Sequence, residues 1–136
     1  HNHSGKGYIG GALWDLHRVY EMVNSPYIGS NFDAGHITAE GRAGAWEAAT
    51  KLLAPYTKMM AVKDFQNGED GKPKWVRFGD GIVDNVKILS YMREVGFAGP
   101  ISIHVEYELA SDDAMIEEVR ETGVRLRKCI SEAGYA

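Results

Sequence analysis

The chain has 136 residues, 44% of them hydrophobic and 25% charged, which suits one domain with a real core. A formal net charge of −4 argues against a nucleic-acid partner, because phosphate binding leaves a basic footprint. The single Cys129 rules out an intrachain disulfide and points to a reducing, cytoplasmic setting, and no apolar run approaches the ~18 residues of a membrane span.

The chain opens at His1-Asn2-His3-Ser4-Gly5 without an initiator Met, which reads as a strand stub or as a strand whose beginning was removed. A first helix is predicted from Gly11 to Val23. Its Leu13, Leu16, Tyr20 and Val23 recur at three- and four-residue spacings, and Asn24-Ser25-Pro26 ends it. Tyr27 to Asp33 reads as a short strand. An Ala-rich helix opened by Thr38 and Glu40 is expected to run to Ala54 and stop at Pro55. Lys58 to Phe65 is the next strand, followed by a long polar loop with Asn67-Gly68, Asp70-Gly71 and Pro73 as turn signals. Asp84 caps a helix over Asn85 to Val95. Ile101 to Glu108 is the last strand, and Ser111-Asp112-Asp113 caps a helix over Ala114 to Ala133.

Strand alternating with helix at this spacing is the pattern of βαβ units, so the fold class is α/β with a parallel sheet, and residues 1–136 read as a single domain. Chemistry in such sheets gathers at the C-terminal strand ends. The polar residues of this sequence lie there. On the last strand Ile101, Ile103 and Val105 alternate with Ser102, His104 and Glu106, so the second set should share the inner face. The same parity puts Lys63 with Ala61, and Asp33 with Asn31. Asp33, Lys63, His104 and Glu106 are therefore expected to converge, either as a ligand site or as an ion-pair network in which Lys63 bridges Asp33 and Glu106.

Taken in order, Asn-Phe-Asp-Ala-Gly-His (31–36), Val-Lys-Asp-Phe (62–65), Phe-Gly-Asp-Gly-Ile-Val-Asp (78–84) and Gly-Phe-Ala-Gly-Pro-Ile-Ser-Ile-His-Val-Glu-Tyr (96–107) resemble the xylose-isomerase-like sugar phosphate isomerase/epimerase superfamily. The resemblance covers essentially the whole chain and matches the last four βα units. It implies a half-barrel, the C-terminal half of a TIM barrel whose full form needs about 250 residues. It also implies a sugar isomerase or epimerase, or an inactive fragment of one, with a small-molecule sugar as partner. Members of that group commonly hold one divalent metal, and no organic cofactor is expected. Here the implied metal set is His1, Asp33, His104 and Glu106, suited to Mn²⁺, Zn²⁺, Mg²⁺ or Co²⁺, while Ala61 stands where a metal His is usual.

For the chemistry, Glu106 is the expected general base and Lys63 the stabiliser of an enediolate oxygen. His3, His36, Asp64 and Trp75 are the expected substrate contacts, with loop packing as the other reading of Trp75. A half-barrel leaves open sheet edges, so a homo-oligomer is expected. The competing reading is a non-catalytic carbohydrate-binding or structural module, which Ala61 favours. An endonuclease on the same fold would need more metal ligands and less acidic charge.

Overall fold

The computed structural model describes residues 1–41 and 44–135. The elements follow as α1 (Leu13–Val23), β1 (Ser30–Asp33), α2 (Ala34–Glu40), α3 (Ala45–Leu53), a 3-10 turn (Ala54–Tyr56), β2 (Thr57–Val62), β3 (Asp64–Asn67), β4 (Pro73–Val76), α4 (Asn85–Glu94), β5 (Ile101–Ile103) and α5 (Asp112–Glu132). β1, β2 and β5 form a parallel sheet with β2 at its centre, and β3 and β4 form a separate antiparallel hairpin. No described helix is long and apolar enough to cross a membrane.

The caps show why the helices begin and end where they do. Asp84 accepts the Lys87 N–H at the start of α4, and Ser111 accepts the Ala114 N–H at the start of α5. Asp112 and Asp113 then lie in the first turn of α5, where the helix dipole favours negative charge. Asn24 takes a left-handed conformation (φ 43°) to close α1, its N–H donating to the Tyr20 carbonyl.

The outer face of the sheet carries Phe32, Met60 and Val62, which are essentially fully buried with Ile37, Leu53, Ile88, Leu89 and Met92 of the covering helices. Burying each such side chain stabilises the fold by roughly 1.5–3 kcal/mol. The inner face is different. Asp33, Ala61 and Lys63 are buried at its C-terminal end, whereas Asn31 and Ser102 are half-buried and Met59 is 37% exposed, so among the described residues this face is only partly covered.

Four expectations are corrected. The second helix is two helices. α2 starts at Ala34, four residues earlier than Thr38, because the Asp33 carboxylate caps it. The chain then breaks at Gly41, whose carbonyl receives the Trp46 N–H. Positions 42–43 of the expected helix lie outside the described residues. The polar loop after β2 is largely the β3–β4 hairpin, with Phe65 opposite Trp75. The last strand pairs only over Ile101–Ile103, and the stub at His1–Ser4 makes no strand. Instead the Asn2 side-chain amide docks on β1. It donates to the Asp33 carbonyl (3.0 Å) and accepts the Asp33 N–H (2.7 Å), the two bonds a neighbouring strand would supply.

Candidate functional site

The register sets the site. Asp33 lies level with Ala61, and Ala61 with Ser102, at the C-terminal end of the sheet. Ala61 and Ser102 are small, so the space beside Asp33 is filled from one pleat higher by Lys63. The Lys63 stem runs against Gly35, where a Cβ would meet Lys63 Cγ at 2.6 Å and Trp75 Cζ3 at 3.1 Å. Gly35 is thus the residue that lets a long side chain pass at this point.

Lys63 is 2% exposed and its Nζ is the centre of the cluster. It lies 2.8 Å from Glu106 Oε1, 3.2 Å from Asp33 Oδ2 and 2.8 Å from His36 Nε2. The contacts to His36 and Glu106 are hydrogen bonds, and the contact to Asp33 is an ion pair. The indole of Trp75 covers another side, with Nζ 4.4 Å from its ring centroid. A buried lysine that keeps its charge needs such a shell, because desolvation alone favours the neutral amine.

Asp33 is fully buried and its two oxygens have separate tasks. Oδ1 accepts the His36 N–H (2.8 Å) and caps α2, while Oδ2 faces Lys63 and His1 Nε2 (3.2 Å). His36 is buried, and burial, outweighing the attraction of Asp33, lowers its pKa to about 4. At neutral pH its ring is uncharged. Nε2 must then accept from the Lys63 ammonium, which leaves the proton on Nδ1 to donate to Ser4 Oγ (2.8 Å).

The expected residues divide as follows. Asp33, Lys63 and Glu106 come together through direct contacts. His104 lies nearby, its Nδ1 3.6 Å from Glu106 Oε1 and 3.9 Å from Asp33 Oδ2, beyond a good hydrogen bond. His3 stacks on His36 (ring centroids 4.0 Å apart) and on Tyr8 (4.5 Å). Its Nδ1 donates to the Ser4 carbonyl, which makes Nε2 the acceptor nitrogen. Both ring nitrogens of His36 already have partners, Ser4 Oγ and Lys63 Nζ. Trp75 is half-buried and packs on Lys63, His36 and Phe65, the loop-packing reading.

Asp64 is held elsewhere. Its buried carboxylate accepts the backbone N–H groups of Phe65, Gly79, Gly81 and Val83 at 2.9–3.1 Å. It pins the Gly79–Val83 turn rather than facing the cluster, and burial raises its pKa. Gly81 passes so close that a Cβ there would fall on the Asp64 carboxylate. Asn2, Ser4 and Tyr8 were not singled out in the sequence. Their only signal was proximity to the flanking histidines.

The donor set was tested against a divalent ion. Among the described residues His1, Asp33 and His36 offer ligand atoms within 4.8 Å of one another. Glu106 and His104 are not in that group, because Lys63 Nζ takes the space between Glu106 and Asp33. An ion bound by Asp33 Oδ2 would lie within a few ångströms of a buried ammonium. At an effective dielectric near 20, charges 4 Å apart repel by about 4 kcal/mol per unit of the ion's charge. His36 Nε2, moreover, is already bonded to that ammonium. With Lys63 in place, the residues present do not fit a divalent metal.

Comparison with known proteins completes the picture. No curated protein matches the chain. A xylose isomerase domain protein from Alicyclobacillus acidocaldarius subsp. acidocaldarius superposes with a TM-score of 0.71 at 25% identity, over 92% of this chain and 45% of its own. An IOLI protein with a binding zinc atom gives 0.70 at 21% identity, over 90% and 45%. A xylose isomerase-like TIM barrel protein from Mycobacterium smegmatis in complex with magnesium gives 0.68 at 17%, over 93% and 42%. The chain thus spans less than half the length of these structures, as a parallel α/β half-barrel. The family described as xylose isomerase-like TIM barrel matches residues 1–129, and the chain belongs to that family.

Proposed function

We propose that the strand-end cluster serves a sugar or sugar-phosphate isomerase or epimerase that works by proton transfer next to a sugar carbonyl. The observation that carries this reading is the pairing of a buried, fixed ammonium with a carboxylate at the rim. Lys63 Nζ lies 2.8 Å from Glu106 Oε1, and the Glu106 side chain is 38% exposed. A substrate carbonyl oxygen can approach the Lys63–Glu106 pair from the open side. Glu106 then takes the proton from the adjacent carbon, and the electron pair moves onto the carbonyl oxygen. Lys63 neutralises that enediolate oxygen; the hydroxyl proton on the first carbon passes to it as the new carbonyl forms there, and Glu106 returns its proton to the former carbonyl carbon. Return to the opposite face of the same carbon, which epimerisation needs, requires a second acid. His3 Nε2 accepts a sugar hydroxyl, and His36, Ser4 and Trp75 hold Lys63 in position.

The relatives described with zinc or magnesium suggest a divalent ion, whether Mn²⁺, Zn²⁺, Mg²⁺ or Co²⁺. The donor set around Lys63 does not fit one, so no step is assigned to it. The partly covered inner face, with Met59 37% exposed, supports reading residues 1–136 as one domain that completes its enclosure with a further half-barrel. A second copy in a homo-oligomer would serve that purpose.

A second reading is favoured by one observation: two hydrogen bonds and an ion pair already hold Lys63 Nζ, as in a closed structural network. That would suit a non-catalytic carbohydrate-binding module. The two are separated by Glu106→Gln, assayed by deuterium uptake at the carbon beside the carbonyl across a panel of aldoses, ketoses and their phosphates. Loss of uptake supports the base. Uptake equal to that of the unsubstituted chain removes Glu106 from the chemistry, and absence of uptake in both leaves the binding module.

A further inference from the structure

We infer that Lys63 is the resident cation of this site, standing where a divalent ion would otherwise be bound, and that its removal turns the same side chains into a metal centre. This rests on the placement of the cluster and not on the sugar reading above. Asp33, His36 and Glu106 each turn one donor atom onto Nζ, at 3.2, 2.8 and 2.8 Å. Two carboxylates and an imidazole converging on one point are the ligands of a hard or borderline cation. Here the point is filled by an ammonium. His1 Nε2 and His104 Nδ1 stand at 3.2 and 3.9 Å from Asp33 Oδ2 and supply two further donors at the edge.

Charge balance supports the substitution. Asp33 and Glu106 bring two negative charges, and Lys63 neutralises one of them. An added divalent ion would leave the buried end of the cluster with an excess positive charge and no acceptor for the displaced ammonium. Lys63 has nowhere to withdraw, since its stem is held between Gly35 and Trp75. Ala61 fits the same picture. It is fully buried and level with Asp33, so the inner face offers no imidazole there to complete a metal shell.

The experiment measures Zn²⁺ and Mn²⁺ binding to the whole chain by calorimetry, with bound metal counted by elemental analysis. The variants are Lys63→Met and Lys63→Ala. Met keeps the apolar stem against Gly35 and Trp75 while deleting the charge, and circular dichroism checks that each variant is folded. The expected result is no stoichiometric binding to the native chain and one ion per chain in a Lys63 variant, with affinity raised about 100-fold or more. Adding Asp33→Asn to that variant should abolish the gain. Stoichiometric binding to the native chain that Asp33→Asn removes would overturn the inference. So would folded Lys63 variants that bind no better than the native chain. If neither variant folds, Lys63→Gln, which keeps a long side chain without the charge, takes their place under the same outcomes, and stoichiometric, Asp33-dependent binding to the native chain still overturns the inference. None of these readouts depends on sugar turnover, so this inference and the isomerase reading fail separately.

Discussion

Gly35→Ala offers a sharp test of how the site is built. Gly35 is the second residue of α2, and its φ is not left-handed, so backbone conformation does not require glycine. By helix propensity alone, alanine should stabilise by up to about 1 kcal/mol. The structure argues for the opposite sign. The new Cβ would meet Lys63 Cγ at 2.6 Å, Lys63 Cε at 3.1 Å and Trp75 Cζ3 at 3.1 Å. Cγ lies near the root of the side chain, and the far end is held by two hydrogen bonds and an ion pair, so Lys63 cannot swing clear. Overpacking of this kind costs about 1–3 kcal/mol, for an expected net loss near 1–2 kcal/mol. Urea denaturation of Gly35→Ala, Lys63→Ala and the double variant measures it. In the Lys63→Ala background the clash with the lysine stem is gone, and Gly35→Ala should become neutral or mildly stabilising. An equal cost in both backgrounds would refute the claim that Lys63 is what Gly35 accommodates.

Asp64→Asn should destabilise the chain by about 1–3 kcal/mol, because an amide nitrogen cannot accept the N–H groups of Gly79 and Gly81 or of Phe65 and Val83. Hydrogen exchange should rise in the Gly79–Val83 turn, and an unchanged turn would count against the pin. Glu118 is buried, and hydrogen bonds from Arg77 hold its pKa below the usual carboxylate value of 4.5. A depressed folded-state pKa contributes stability that is complete above about pH 4.5 and is lost as pH falls through the lower folded value. Acid titration of Glu118→Gln should therefore show a shallower loss of stability at the acid end than the native chain. Tyr107 donates to the same carboxylate at 2.7 Å and lies next to Glu106 in sequence. Tyr107→Phe should raise exchange at 105–108 while leaving α5 helical by circular dichroism. Light scattering at micromolar concentration should show an assembly larger than one chain, and a monomer would argue against the homo-oligomer.

The helix caps were legible because capping is local. Asp84 and Ser111 satisfy N–H groups three residues away, whatever the rest of the chain does. The break at Gly41 was not legible. The Ala-rich pattern runs on through it, and the turn is held by an N–H from Trp46 that only a folded chain presents. The β3–β4 hairpin was missed for a related reason. Its turn signals were read, but the pairing of Phe65 with Trp75 depends on the apolar surface beneath them.

Period-two alternation in the sequence determined which residues of each strand share a face, since the pleat follows from backbone geometry alone. Asp33, Lys63, His104 and Glu106 could therefore be assigned to one side of the sheet. Only the tertiary structure decided what each does there. A carboxylate such as Asp64 goes to whichever donors lie nearest, and those came from a turn about 15 residues further on. The ring nitrogens of His36 are taken in the same way by Ser4 and Lys63, which are 32 and 27 residues away. Hydrogen-bond partners distant in sequence are set by packing, and packing is what the sequence pattern leaves unstated.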